Sequence, residues 1–368
     1  MYLRQLILTN FKNYEFQELD FSSRLNCFTG LNGMGKTNLL DAIYYLCLGK
    51  SNFSIPDQNI ARHEENFFRL EARFELQGKN EKIVAKVIPR KKKEFERNDV
   101  PYQRLAEHIG MLPVVIIAPD DTAIITEGSE ARRRFIDNTL SQLDNDYLHH
   151  LIQYNKVLKQ RNASLKQFAE NNSFNPHLMA AYDEQLSQPG EIIYRKRVEF
   201  IKKFLPVLTE MYKFISGKRE SIQCEYKSDL GETPFARLLQ DAFEKDRILQ
   251  RTTKGIHKDD LLLTIDAYPL KRYGSQGQLK SYLLALKLAQ YELLKREKKV
   301  APILLLDDIF DKLDNKRVTY LLQLLTGGEF GQIFITDTHE NRVSEIIEQF
   351  DADSKKFHIE NGKAHLKA

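Results

Sequence analysis

Eight consecutive residues, Gly30-Leu31-Asn32-Gly33-Met34-Gly35-Lys36-Thr37, carry the G-x-x-x-x-G-K-[ST] spacing of a phosphate-binding loop. Glycines let the backbone curl until successive N–H groups face phosphate oxygens. A helix opening at Asn38 adds its positive dipole end. In this pattern Lys36 is predicted to reach the β- and γ-phosphates of a nucleoside triphosphate, and the Thr37 hydroxyl to hold Mg²⁺. A second chemical pattern lies far downstream. Ile303-Leu304-Leu305-Leu306-Asp307-Asp308 is an apolar run that ends in two acids, a Walker B pattern. Asp307 is predicted to reach Mg²⁺ through water, and Asp308 to act as the general base on the attacking water. Alone, the two acids could simply cap the next helix. Beside a phosphate-binding loop in the same chain, they read as its metal and base positions.

The elements that must hold these residues follow from periodicity. Leu25 to Thr29 reads as the strand before the loop, and Asn38 to Leu48 as the helix after it, apolar at Leu39, Leu40, Ala42, Ile43, Leu46 and Cys47. Residues 2–11 alternate, and Phe16 to Phe28 continues the strand signal. Phe67 to Leu76, a turn at 77–80 and Ile83 to Pro89 make an antiparallel hairpin. Pro113 to Ala118 is a short buried strand. From Ser129 to Gly217 the period is helical, with an Asn-rich turn at 170–176. Two antiparallel helices of ~35 residues, each ~50 Å long, are expected there. Pro189-Gly190 is expected to bend or break the second. Strand signal returns at 221–226, 261–265, 303–306 and 332–336, with helices at 234–249, 278–295 and 316–325. The expected fold is an α/β ATPase head with an inserted helical arm lobe. The expected division is 1–128, with the phosphate-binding loop and antiparallel strands; 129–217, the arm; and 218–368, the second part of the head.

Composition bounds the partners. The chain has 368 residues, 42% apolar and 29% charged, enough for about two domains. Its apolar runs fall well short of the ~20 residues that span a bilayer, and the N-terminus lacks a signal-peptide layout. A cytoplasmic protein with no membrane partner is expected. Cys27, Cys47 and Cys224 have no metal-binding spacing and read as small core residues. The net charge is only +4, but the cations cluster: 82–97, Arg132 to Arg134, Lys156/Lys159/Arg161/Lys166, and 195–203. Any one cluster is most simply a solvated face; four of them on a nucleotide-binding chain raise a surface for phosphate backbone.

Further motifs specify the class. Gly274-Ser275-Gln276-Gly277-Gln278, before a long helix and upstream of the Walker B strand, resembles the signature motif of ABC-type ATPases, with Gln276 where glycine is commoner. Phe310-Asp311-Lys312-Leu313-Asp314 looks like a D-loop, which places Asp314, and Ile335 to His339 looks like a switch segment, which places His339. In ABC-type ATPases the signature completes the nucleotide site of a second subunit. The resemblance therefore implies an ATP-dependent head-to-head homodimer, with Ser275, Gln276, Gly277 and Gln278 facing the partner's ATP. Within that superfamily the chain resembles the RecF family, through Leu3 to Tyr14, Gly30 to Ile43, Ala118 to Asp121, Gly128 to Asp137, Tyr154 to Asn162, Gly255 to Asp260 and Tyr273 to Gln278. The resemblance spans nearly the whole chain. It implies an SMC-like head with a helical arm lobe and ATP with Mg²⁺ as cofactors. It also implies slow, switch-like ATP hydrolysis in recombinational gap repair. The implied partners are duplex DNA and single-strand/double-strand gap junctions with low sequence specificity, and RecO and RecR in loading RecA. Two features depart from the superfamily. Asp308 stands where glutamate is common, and no clear Q-loop glutamine is present, the place reading Ala118-Pro119-Asp120-Asp121. The main alternative is a soluble ABC-type ATPase subunit that powers a membrane or other partner. A scaffold with a vestigial loop is disfavoured by intact Lys36, Thr37, Asp307 and Asp308, and a fused nuclease by the absence of an extra acidic domain.

Overall fold

The structure is a computed structural model that describes residues 1–53, 55–217, 220–310, 315–327, 330–349 and 353–367. The chain divides into two compact units, 1–121 with 214–218 and 280–368, and 122–213 with 219–279.

The first unit opens with β1 (Tyr2–Phe11), β2 (Tyr14–Asp20) and β3 (Leu25–Thr29), then α1 (Lys36–Leu48). β4 (Phe68–Leu76), β5 (Lys79–Ile88), β6 (Lys92–Arg97), β7 (Val100–Pro101) and β8 (Val114–Ile117) follow. Strands β1, β2 and β4–β7 form an antiparallel sheet in the order β2-β1-β4-β5-β6-β7. Alternation buries Leu6 and Leu8 of β1 on one face, and a register shift against β4 between Leu3 and Gln5 brings Leu3 to the same face while Arg4 is exposed.

The second unit is mostly helical: α2 (Ala123–Thr126), α3 (Ser129–Leu143), α4 (Asn145–Glu170) and α5 (Pro176–Ser216), whose last residues belong to the first unit. It adds β9 (Ile222–Lys227), α6 (Phe235–Asp241), α7 (Phe243–Leu249), β10 (Asp260–Ile265), β11 (Tyr268–Pro269) and α8 (Leu270–Tyr273). The first arm helix is two helices rather than one. Asp144 leaves the helical region and its carboxylate accepts from the N–H groups of Asp146 and Tyr147, a side-chain cap that starts α4 afresh. Helices α4 and α5 run antiparallel, since Ser164 meets Tyr182, Arg161 meets Asp183 and Asp144 meets Lys196. α5 continues through Pro189 and Pro206 without a break. Burial of Leu186 and Ile193 on either side of Pro189 holds the helix together across the lost hydrogen bond. A Cβ on Gly190 would come within 2.6 Å of the Phe235 ring, so glycine there admits α6. Two buried guanidinium groups tie the unit. Arg161 pairs with Asp183 and Asp246, both at 2.7 Å, and Arg197 with Asp137 at 2.7 Å and Asp259 at 3.3 Å. These pairs explain why 219–279 coheres with the arm helices.

α9 (Gln276–Lys298) returns to the first unit, followed by β12 (Ile303–Leu306), α10 (Asn315–Thr326), β13 (Ile333–Asp337), α11 (Glu340–Gln349), β14 (Ser354–Glu360) and β15 (Lys363–Lys367). The second six-stranded sheet runs β15-β14-β3-β13-β12-β8, parallel except for the β14–β15 hairpin. Phe21, Phe28, Phe334 and Phe357 pack together against it. Helix α1 lies between the two sheets, touching β1, β4 and β5 on one side and β8 and β13 on the other. The phosphate-binding loop therefore opens at the C-terminal ends of parallel strands, where α/β folds place their ligands.

Below α1 the His108 ring is fully buried, its Nε2 2.6 Å from the Leu46 carbonyl oxygen. Burial lowers its pKa to about 4. The unfolded chain takes up this proton near its ordinary value of about 6.5, so His108 leaves stability intact above that pH and erodes it as pH falls toward 4. The erosion is roughly 3 kcal/mol at most. His108→Gln is expected to flatten the fall in unfolding free energy between pH 6.5 and 4 in a urea titration series; an unchanged slope would remove His108 as its source.

Candidate nucleotide and metal site

The loop between β3 and α1 is held by contacts that only glycine allows. Gly30 has φ 148°, and a Cβ there would lie 2.3 Å from the Ile359 carbonyl oxygen of β14. Gly35 has φ 115°, and a Cβ would fall 2.5 Å from Asn13 Nδ2. The β1–β2 turn braces the loop from one side. Asn13 donates to the Met34 carbonyl at 2.9 Å and accepts from the Asn38 amide at 2.7 Å, and the Tyr14 hydroxyl donates to the Gly35 carbonyl at 3.0 Å. The Gly362 N–H, in the turn of the β14–β15 hairpin, donates to the same Met34 carbonyl at 3.1 Å. Asn32 and Gly33 stay on the exposed side of the loop, and Leu31 is 73% exposed.

Lys36 is almost fully buried, its Nζ donating to the carbonyls of Gly30 (2.8 Å) and Leu31 (3.2 Å). This bends the ammonium back across the mouth of the loop, where phosphate oxygens would replace the carbonyls. The Thr37 hydroxyl donates to both oxygens of Asp307, at 2.8 and 3.1 Å. The structure thus joins residues 270 positions apart in sequence. Burial raises the Asp307 carboxyl above its ordinary pKa, and the neighbouring Asp308 adds to this; the Thr336 and Thr37 hydroxyls and the Lys36 ammonium oppose it. Asp308 has φ 42° and donates its N–H to Thr336 Oγ1 at 2.9 Å. Its Oδ1 is buried without a hydrogen-bond partner among the described residues. Thr336 in turn donates to Asp307 Oδ1 at 2.8 Å. One threonine hydroxyl therefore sets both acids.

An all-oxygen donor pair, Thr37 and Asp307, with an unsatisfied carboxylate oxygen on Asp308, suits a hard cation such as Mg²⁺, which commonly takes one or two carboxylates plus phosphate oxygens. The residues present fit the group.

The other predicted positions are placed as follows. Ser275 to Gln278 lie in the second unit, at the start of α9. Ser275 N–H donates to Gln278 Oε1 at 2.7 Å and Gln278 N–H to Ser275 Oγ at 3.2 Å, a reciprocal capping box. Gln276 is exposed and Gly277 half-buried beside them. His339 follows β13, the strand between β3 and β12, and is 62% exposed; its N–H donates to Asp337 at 2.7 Å and its ring meets Arg342 at 3.1 Å. The expected D-loop runs outside the described residues after Phe310, and Asp314 lies among those outside. At the place of the missing Q-loop glutamine, Asp121 accepts from the Ala118 N–H at 2.7 Å and pairs with Lys287 of α9 at 2.6 Å. Sequence reading missed the roles of Asn13, Tyr14, Gly362 and Thr336. Only the Asn361-Gly362 turn dipeptide carried a local signal; the rest make contacts that span many residues.

A phosphate-binding loop on a helix sandwiched between an antiparallel and a mainly parallel sheet, with a helical unit inserted before the second acidic motif, defines an SMC-like ATPase head. Comparison with known proteins agrees. Residues 2–361 match the family described as RecF/RecN/SMC N terminal domain. The chain is 48% identical over 360 residues to the DNA replication and repair protein RecF of Flavobacterium johnsoniae, covering 98% of this chain and 100% of that one. It is 44% identical over 365 residues to the RecF of Phocaeicola vulgatus, covering 99% and 98%. A solved structure of the recombination mediator protein RecF with ATP in the RecFOR pathway superposes with a TM-score of 0.89 at 29% identity, covering 100% of this chain and 98% of that one. An SMC head bound to the C-terminal winged-helix domain of ScpA shares the fold, with a TM-score of 0.58 at 16% identity over 100% and 97% of the two chains. The chain belongs to the RecF family.

Thr336→Val keeps the shape of the side chain but removes the hydroxyl between the acids. It is expected to slow ATP turnover roughly 10–100-fold and to shift the Mg²⁺ titration of turnover to higher concentration. Unaltered Mg²⁺ dependence would leave Thr336 a packing residue only.

Proposed function

We propose that this chain is an ATP-dependent recombination mediator of DNA replication and repair, in which slow ATP hydrolysis resets a DNA-bound dimer. The observation that carries the reading is the Thr37–Asp307–Thr336–Asp308 chain of hydrogen bonds at the mouth of the phosphate-binding loop. In it the phosphate-binding and acidic motifs form one site within a chain that is 48% identical to a DNA replication and repair protein.

The chemistry follows from these residues. Gly30 to Asn38 present backbone N–H groups and a helix N-terminus to the triphosphate. Lys36 moves from the loop carbonyls to the β- and γ-phosphates. Thr37 and Asp307 would hold Mg²⁺, which would supply positive charge against the phosphates. Asp308, whose Oδ1 is buried without a partner among the described residues, acts as base toward the water that attacks the γ-phosphate. An aspartate reaches less far than a glutamate and positions that water less well, which suits a slow switch. Ser275, Gln276, Gly277 and Gln278 offer an exposed helix N-terminus to the γ-phosphate held by a second copy, and Asp314 and His339 contribute from the D-loop and switch positions. ATP then closes two copies head to head. DNA, as duplex and at gap junctions, and RecO and RecR are the partners, and RecA loading is the outcome. No helix among the described residues is long and apolar enough to cross a membrane.

Three variants test this by sedimentation and nucleotide binding. Lys36→Met is expected to lose ATP binding at least 100-fold, since a buried phosphate charge loses its partner. Asp308→Asn is expected to bind ATP and accumulate as dimer, with turnover down roughly 100-fold; normal turnover would remove Asp308 from the base position. Ser275→Arg is expected to bind ATP as monomer and fail to dimerise. Equal ATP-driven dimerisation in this variant and the wild type would sink the two-subunit site.

A further inference from the structure

Most cations of the basic clusters have internal partners, though Lys91, Arg195 and Lys202 are exposed without an ion pair among the described residues. In the first unit, Lys82 meets Asp99 at 2.8 Å, Lys86 meets Glu96 at 2.7 Å, Lys93 meets Asp57 at 2.9 Å and Arg97 meets Glu81 at 2.8 Å. In the second, Arg132 meets Asp260 at 2.6 Å, Lys196 meets Asp144 at 2.5 Å, and Arg161 and Arg197 are buried in their acid pairs. These cations are structural, or neutralised where they stand.

Helix α4 is different. From Tyr147 to Ala169 it carries no acidic residue. Lys156, Lys159 and Lys166 are exposed, and none makes an ion pair or hydrogen bond with any described residue. At about 100° per residue the three fall within about 80° of arc and span ~15 Å along the axis. They lie opposite Tyr154, Val157, Arg161 and Leu165, which face the core. The neutral, exposed Asn155, Gln160 and Gln167 flank this face, exposed Ile152 and Ala163 lie within it, and Glu170 closes it at the helix end. Asn162 sits on the same flank, between Lys159 and Lys166. It accepts from both the N–H and the hydroxyl of Thr252 at 2.8 Å. The loop after α7 otherwise packs on the core-facing side of α4, where Thr252 Oγ1 meets Arg161 at 2.9 Å and His257 meets Tyr154 at 2.8 Å.

We propose that this strip, Lys156, Lys159 and Lys166 of α4, binds the phosphate backbone of duplex DNA. The proposal rests on the DNA-binding reading above and names the surface that performs it. A span of ~15 Å covers about four phosphates of one strand. Unpaired lysines release counter-ions when they meet phosphate, whereas paired ones must first break a salt bridge. Lysines spaced along a backbone position the duplex without reading its bases.

The test uses the full chain with a non-hydrolysed ATP analogue and labelled duplexes of two unrelated sequences, across a salt series. The variant replaces all three α4 lysines: Lys156→Gln, Lys159→Gln and Lys166→Gln. The slope of log Kobs against log salt is expected to fall in magnitude by about two to three, with affinity lowered roughly 10–100-fold for both sequences. The matching Lys→Arg triple is expected to restore both. ATP-driven dimerisation, measured alongside, is expected to be unchanged, which separates lost contact from lost fold. A wild-type slope in the Gln triple overturns the strip and leaves the DNA-binding reading standing. Affinity lost for one sequence only overturns backbone contact. No duplex binding by the wild type in any nucleotide state overturns both.

Discussion

Helix α1 is buried on every side, and the site depends on it. From Leu39 to Leu48 every residue is shielded from water, because one sheet covers one flank and the second covers the other. A helix packed all round cannot rotate without opening cavities, which cost roughly 2–5 kcal/mol for each large side chain displaced. Its second residue, Thr37, therefore has one direction available, toward the end of β12. Even the one acid in the middle of the helix serves this arrangement: Asp41 is fully buried and is met by Lys12 at 2.6 Å, by the Ser51 hydroxyl and by the Asn52 N–H. Leaving that carboxylate without its cation would cost about 3–5 kcal/mol. The turn that supplies Lys12 also supplies Asn13 and Tyr14 to the phosphate-binding loop, so packing of the helix and shaping of the loop share one segment of chain.

The second unit is organised by charge where the first is organised by apolar burial. Arg161 and Arg197 are among its most buried side chains, and each reaches carboxylates from separate stretches of sequence. Tyr226 and Tyr147 hydrogen-bond to the same acids, and Tyr154 meets His257 at 2.8 Å. A polar network of this kind, with only Arg161 Nη2 left without a partner among its guanidinium atoms in the described residues, demands one geometry, because each lost partner strands a charge in a poorly solvated place. It locks α3, α4 and α5 to the segment 250–260 and leaves the lysines of α4 outside, facing water. Charge is thus used twice in this unit: paired and buried to hold helices in register, unpaired and exposed on one face.

How much of this was legible in the chain differs by range. Strands and helices whose signal is local were read within a few residues: α1, β4, β8, α9, β12 and β13 all fall where periodicity puts them. Departures arose where a side chain several residues away decides. Asp144 caps a new helix in the middle of an apolar stripe that looks continuous, and α5 passes Pro189 because its flanks are buried. The segment 234–249 likewise reads as one helix yet forms α6 and α7.

By itself the sequence determined the chemistry on offer: a loop whose glycine spacing suits phosphate, an acid pair at the end of an apolar strand, and a small-residue helix start. These are local patterns, in which residue type and spacing already imply the backbone that presents them. Only the tertiary structure decided which hydroxyl meets which carboxylate. Thr37, Asp307 and Thr336 become neighbours because β3, β13 and β12 are adjacent parallel strands, an order that no short window contains. It also decided which cations are spent on internal acids and which face water. Sequence counts charges, but a salt bridge forms between residues the fold brings within a few ångströms, and that distance is set by packing.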